Sequence, residues 1–170
     1  MKQVLILGAG AVARPAVGYL LEKEGVEVVV ASRTPAKAEA LVAGHPGGRA
    51  VALDAGDAPM LERTIAAADI VVSLLPWTLH PVIAELCLAH GKHMVTTSYV
   101  KEEMQAMDRQ ARDKGLIFLN EVGVDPGLDH MSAMQIIDAV RAEGGRIDSF
   151  FSYCGGLPAL ESNNNPLGYK

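Results

Sequence analysis

A chain of 170 residues with a formal net charge of −5 carries no basic surface of the kind that binds nucleic acid or an anionic membrane. Hydrophobic residues make up 49% and charged residues 21%, which excludes an intrinsically disordered segment and fits one well-buried domain with a piece of a second. The longest apolar run falls far short of the roughly 20 residues of a membrane span.

Residues 2–7 read as a strand that runs straight into Gly8-Ala9-Gly10-Ala11-Val12-Ala13. An apolar start that leads into glycines is a strand and not a secretion signal. The glycine pattern is Gly-x-Gly-x-x-Ala, and helix-compatible sequence follows over residues 11–24. This is the strand–turn–helix opening of a dinucleotide-binding fold. Gly8 lets the backbone turn sharply. Gly10 lets a pyrophosphate approach the main chain, and Ala13 lets the helix pack closely on the strand. Phosphates then meet the helix N-terminus at Ala11 and Val12, where N–H groups and the dipole favour negative charge.

Residues 26–31 form a nearly continuous apolar run suited to a buried parallel strand. Thr34 can cap a helix over 35–42, with Pro35 at its first position. Strands follow at 49–53, 69–74, 92–96 and 116–119, alternating with helices at 57–67, 80–90 and 101–114. The rhythm predicts a Rossmann-type α/β fold, a doubly wound parallel sheet with helices on both faces. After residue 120 the pattern changes. A glycine-rich loop over 121–130 precedes a helix with Met131, Met134, Ile137 and Val140 on one stripe, ended by Gly144-Gly145. Residues 147–153 alternate like a strand, and 155–170 show no periodicity. The expected division is a nucleotide-binding domain at 1–125 and, at 126–170, a linker helix and the start of a second, substrate-binding α+β domain. The chain stops before another element is complete, which reads as the N-terminal part of a longer protein. A strand at 147–153 without sheet partners would invite self-association into a homo-oligomer.

The residue after the second strand reads the adenine ribose in this fold: a carboxylate there selects NAD, and an arginine accommodates the 2′-phosphate of NADP. Here Ser32-Arg33-Thr34 stands at that place and no carboxylate does, so NADP(H) is the expected cofactor. Other loops at strand carboxyl ends should line the same crevice. They carry Asp54-Ala55, then Leu75-Pro76-Trp77, then Thr97-Ser98-Tyr99. Asp54 is either a partner for the adenine amino group or an ordinary turn residue. Trp77 either walls the cavity or packs on the helix that follows. Cys87 and Cys154 lie far apart, which gives neither a disulfide framework nor a metal spacing and points to a reducing, cytoplasmic setting. His45, His90 and His93 are scattered without ligand spacing, so no metal is expected.

Specific runs resemble a known family. They are Ser73-Leu74-Leu75-Pro76 with His80-Pro81, then Thr97-Ser98-Tyr99, then the run from Asn120 through Gly123-Val124-Asp125-Pro126-Gly127-Leu128-Asp129-His130. The last two are Ser149 through Tyr153-Cys154-Gly155-Gly156-Leu157-Pro158, and Asn165 to Lys170. Together these resemble the saccharopine reductases, the glutamate-forming saccharopine dehydrogenases, over essentially the whole chain. The resemblance implies an NADP-dependent oxidoreductase of lysine metabolism. Such an enzyme interconverts saccharopine with glutamate and 2-aminoadipate 6-semialdehyde by hydride transfer at an imine carbon.

It further implies site residues. Tyr99, Asp125 and Cys154 stand around substrate and nicotinamide, and Ser98 and Gly155 fall in substrate-contacting runs. The cofactor side comprises Gly8, Gly10, Ala11, Val12, Ser32, Arg33, Thr34, Asp54, Ala55, Leu75, Thr97, Ser98, Val124, Asp125 and Pro126. Hydride transfer to an imine needs no covalent nucleophile, so Cys154 is assigned substrate positioning. Asp129 reads as a helix-start residue and His130 as structural. The family places its arginine anchors beyond residue 170, so these 170 residues alone are expected to bind nucleotide and to turn over poorly. The alternatives are a related imine-reducing enzyme such as carboxynorspermidine dehydrogenase, and a non-catalytic NADP-binding module.

Overall fold

Six short apolar segments pair in parallel, and their side chains alternate between two cores. In the computed structural model, which describes residues 1–155, the strands are β1 (Lys2–Leu7), β2 (Val26–Ser32), β3 (Gly48–Ala52), β4 (Ile70–Ser73), β5 (His93–Thr96) and β6 (Phe118–Leu119). The helices are α1 (Ala13–Leu21), α2 (Pro35–Val42), α3 (Ala58–Ala67), α4 (His80–His90), α5 (Glu102–Ala106), α6 (Asp108–Asp113) and α7 (Leu128–Ala142). Strand order is β3-β2-β1-β4-β5-β6, all parallel. The chain divides into two compact units, Met1–Leu128 and one that begins at Asp129.

Successive strand residues face opposite sides of a sheet. Val4, Ile6, Val28 and Val30 therefore point one way, onto Val17 of α1 and Ala38 and Val42 of α2. Leu5, Leu7, Val29, Ala31 and Val71 point the other way, onto Leu61 and Ile65 of α3 and Ile83, Ala84 and Cys87 of α4. Each such fully buried aliphatic side chain contributes roughly 1.5–3 kcal/mol, which is why the central strands are the fixed part of the domain. Ala13 is fully buried, as close helix–strand packing requires. Asp57 caps α3 by accepting from the Met60 N–H at 3.1 Å.

Four expectations change. Helix one is shorter than 11–24, because residues 10–12 are used in the turn: the Ala13 N–H bonds to Gly10 O at 3.1 Å. The expected helix over 101–114 is broken at Met107, whose N–H bonds three residues back to Met104 O at 3.2 Å. That short bond interrupts the ladder while Met104 and Met107 both reach the core. Thr34 occupies the cap position of α2 but makes no side-chain capping bond. Residues 147–153 are not a strand. Among the described residues of the second unit α7 is the one regular element, so no ladder partner satisfies an extended backbone there. The apolar stripe of α7 exists as a helix, but none of its residues is buried. Gly156 to Pro158 and Asn165 to Lys170 lie outside the described residues. No helix among those described is long and apolar enough to cross a membrane.

Candidate functional site

The register sets the carboxyl ends of the strands side by side. Leu7 pairs with both Ala31 and Ser73, and Ser73 pairs with Thr96. Strand order reverses between β1 and β4, and ligands bind such sheets at that reversal. A cavity of about 390 Å³ opens there. Gly8, Gly10, Ser32, Arg33, Thr34, Asp54, Ala55 and Leu75 all line it.

Two glycines act differently. Gly8 has φ +111°, and a Cβ there would sit 3.1 Å from Leu74 O, so the turn itself demands glycine. Gly10 has no neighbour within 4 Å of where its Cβ would be. Nothing in the fold requires glycine at that place, and the space fits the close approach of a ligand. The first turn of α1 has no side-chain cap and no acidic residue, so its N–H groups and dipole remain available to an anion.

Beyond β2, Ser32 Oγ accepts from the Thr34 N–H at 3.1 Å, which ties this loop into a turn and leaves the Ser32 hydroxyl hydrogen for another acceptor. Arg33 and Lys37 are both exposed and both line the cavity, and no carboxylate stands in this stretch. Asp54 Oδ1 accepts from the Gly56 N–H at 2.9 Å, as a turn residue does. A ligand with phosphates at both the turn and the ribose end fits this set of donors.

A second cavity of about 280 Å³ lies at the end of β5. Thr97, Ser98, Tyr99, Asp125 and Pro126 line it with Trp77 and Lys101. The loop after β6 is laid against the end of β5. The Val122 N–H bonds to Thr96 O at 3.3 Å, and the Glu121 N–H bonds to Ser98 O at 3.1 Å. Glu121 Oε1 accepts from the Val100 N–H at 3.1 Å. The turn closes with Gly123 N–H to Pro126 O and Leu128 N–H to Gly123 O, both at 2.9 Å. Gly127 has φ +146°, and a Cβ on it would overlap the Gly123 backbone. The result sets Asp125 opposite Tyr99, whose phenol donates to Asp125 Oδ1 at 2.8 Å. Trp77 is 54% exposed and walls this cavity, with Lys101 Nζ 5.3 Å from its ring centroid.

Beneath this cavity His80, in the first turn of α4, joins both strand ends. Its Nδ1 lies 3.0 Å from Ser73 Oγ, and its Nε2 lies 2.8 Å from Ser98 Oγ and 3.0 Å from Thr96 Oγ1. Burial pushes the imidazole below its usual pKa range.

Not every expected residue converges. Ala11 lines a separate shallow hollow with Arg14. Val12 and Val124 are 67% and 74% exposed and line neither cavity. Cys154 and Gly155 belong to the second unit and are exposed. Sequence reasoning missed Lys37, Lys101 and the Ser73–His80–Thr96 group. Lys37 had a signal, since it stands four residues after Arg33 in the first turn of a helix. His80 had a weaker one, as a histidine beside a proline where a helix begins.

Comparison with known proteins places these features in a family. Residues 4–119 match the saccharopine dehydrogenase NADP binding domain, and residues 123–170 match the saccharopine dehydrogenase C-terminal domain. Saccharopine dehydrogenase [NADP(+), L-glutamate-forming] of Schizosaccharomyces pombe is 46% identical over 170 residues, which cover 100% of this chain and 38% of the relative. The mitochondrial alpha-aminoadipic semialdehyde synthase of Bos taurus is 41% identical, over 99% of this chain and 18% of that protein. The structure of apo saccharopine dehydrogenase (L-Glu forming) from Saccharomyces cerevisiae superposes with a TM-score of 0.83 and 41% identity, over 100% of this chain and 38% of that one. The chain thus spans about 38% of the length of these glutamate-forming relatives.

Proposed function

The chain belongs to the family of the saccharopine dehydrogenase NADP binding domain, and from that premise we propose that it forms the nucleotide-binding part of an NADP-dependent oxidoreductase. The reaction interconverts saccharopine with L-glutamate and 2-aminoadipate 6-semialdehyde. NADP(H), when bound, supplies or accepts the hydride at the imine carbon. Gly8, Gly10, Ala11 and Val12 hold its pyrophosphate through backbone N–H groups, and Ser32, Arg33 and Thr34 take the 2′-phosphate. Asp54 and Ala55 flank the adenine end. Leu75, Thr97, Ser98, Val124, Asp125 and Pro126 flank the nicotinamide end.

The observation that carries the substrate reading is the Tyr99–Asp125 pair, 2.8 Å apart in a cavity that Ser98 also lines. Asp125 offers a carboxylate to the cationic secondary amine of saccharopine. Tyr99 holds that carboxylate in place and can give its phenolic hydrogen to a substrate oxygen instead. Ser98 adds a hydroxyl. Cys154 and Gly155 serve as further substrate contacts, on the strength of the resemblance. Holding the amine at a fixed place is the larger task, because orientation alone removes much of the barrier to a transfer between two bound molecules. The reading includes a reducing, cytoplasmic setting and a small amino-acid substrate as the partner.

The test is a coupled assay on the protein that carries this chain. Saccharopine-dependent reduction of NADP+, with glutamate released, supports the reading. Turnover of carboxynorspermidine in its place, or nucleotide binding with no turnover of either, overturns it.

A further inference from the structure

Lys101 lines the cavity of Tyr99 and Asp125, and the chemistry proposed above gives it no role. Its place follows from the local backbone. Lys101 is extended, with φ −102° and ψ 164°, and alternate residues of an extended stretch share a side. Tyr99 and Lys101 accordingly both line the cavity, and Val100 between them does not. The Val100 N–H is held by Glu121 Oε1 at 3.1 Å, which fixes the stretch that carries both.

Two charged side chains of opposite sign line this cavity, Lys101 and Asp125. Among the described residues neither joins a salt bridge, so they do not neutralise each other. Asp125 accepts from the Tyr99 phenol, a neutral donor, at 2.8 Å. Lys101 Nζ stands 5.3 Å from the centroid of the Trp77 ring. A ring face attracts an ammonium and narrows where it can stand, yet it offers no lone pair to the ammonium's N–H donors. Those donors are open to a ligand oxygen.

The two charges select by sign. A ligand with a carboxylate alone is repelled by Asp125, and a ligand with an ammonium alone is repelled by Lys101. A ligand that carries both charges close together satisfies both. Saccharopine has that arrangement, because its secondary amine stands on a carbon that also bears a carboxylate. Carboxynorspermidine lacks it, since its carboxylate is several bonds away from the secondary amine.

We infer that Lys101 is a specificity-determining residue which binds the substrate carboxylate next to the secondary amine, while Asp125 binds the amine itself. The inference rests on the saccharopine reading above and deepens it: the class selected is an N-substituted α-amino acid. The carboxylate in question is the α-carboxylate of the glutamate half. Lys101 therefore acts on one of the two condensing molecules and leaves the semialdehyde to other groups. Holding the amine and its neighbouring carboxylate at two points also orients the carbon–nitrogen bond at which hydride is transferred.

The test compares Lys101→Met and Lys101→Arg with the unaltered protein that carries this chain, in both directions of the reaction. Lys101→Met removes the charge and keeps an unbranched side chain. It should raise the KM of saccharopine and of glutamate roughly 10- to 100-fold, the loss of a charge-assisted hydrogen bond. The KM of the semialdehyde, kcat and NADPH affinity should stay as they are, because binding alone is removed. Lys101→Arg keeps the charge and should recover most of the loss. A second readout is inhibition by 4-aminobutanoate, which is glutamate without its α-carboxylate. Lys101→Met should leave that inhibition unchanged. An unaltered glutamate KM in Lys101→Met, or a loss that falls equally on 4-aminobutanoate, overturns the inference and leaves the saccharopine reading standing. No turnover of saccharopine by the unaltered protein overturns both.

Discussion

The Tyr99 phenol gives its hydrogen to Asp125 Oδ1 at 2.8 Å, between residues 26 apart in sequence. The contact joins the loop after β5 to the loop after β6, and each loop is held by backbone bonds to the other. Tyr99 is 53% exposed, so the pair is reachable from solvent and contributes little to folding. The proposed reaction gives the pair a use in binding instead. Tyr99→Phe and Asp125→Asn should each lower kcat/KM for saccharopine by roughly 10- to 1000-fold, and the melting temperature should stay within a few degrees. Steady-state kinetics beside thermal melts check this. Unchanged kcat/KM in both variants would remove the pair from the reaction.

The turn that aims Asp125 depends on Gly127. Its φ of +146° and the overlap of any Cβ with Gly123 leave no room for a side chain. Gly127→Ala should cost on the order of 1–3 kcal/mol and should loosen the Asp125 loop before the sheet. Hydrogen exchange would show faster exchange at the Gly123 and Leu128 amides, with β1 and β4 unaffected. Uniform exchange across the domain would contradict a local role.

Much of this was legible beforehand, and the reasons are specific. Val4 and Ile6 against Leu5 and Leu7 carry the two-face alternation in their spacing, and Gly8 announces its turn because only a strand end needs it. Asp57 was identifiable as the start of a helix. The break at Met107 was not legible, since no glycine or proline marks it: packing of Met104 and Met107 on the core decides it. The 147–153 segment has a strand's pattern, but a pattern does not supply a ladder partner. The His80 network was hidden for another reason. Ser73, Thr96 and Ser98 look like ordinary polar residues at strand ends, and the register of β4 with β5 alone brings them onto one ring.

The two thiols should separate cleanly. Cys87 is fully buried in α4, and burial pushes its pKa up to about 12. It should carry on the order of 1000-fold less thiolate than an ordinary cysteine at mild alkaline pH. Cys154 is exposed. A disulfide reagent should therefore label one thiol quickly in the native chain and the second after unfolding. Cys154→Ser should abolish the fast phase. Two fast thiols would mean that α4 is not packed as described.

Stability should fall in mild acid, with His80 one cause. Its folded pKa lies below the ordinary 6.5, so the unfolded chain takes up a proton first as pH falls. The His80 contribution is therefore intact above about pH 6.5 and is lost as pH falls from there toward the folded value, at no more than about 1.4 kcal/mol per pH unit. Denaturant melts of the native chain and His80→Gln over that range isolate the effect. The variant should show the shallower decline. An identical decline in both would show that the imidazole is not held neutral by the fold.

In the proposed function, the turn at Gly8–Gly10 and the Ser32-Arg33-Thr34 loop form a site for NADP(H). Fluorescence titration of the chain with NADPH and NADH, with and without Arg33→Ala, tests it most directly. NADPH should bind more tightly than NADH, and Arg33→Ala should weaken NADPH alone by roughly 10- to 100-fold, the loss of a charge-assisted hydrogen bond. NADH bound as tightly as NADPH, or an Arg33→Ala indifferent to the 2′-phosphate, would contradict it.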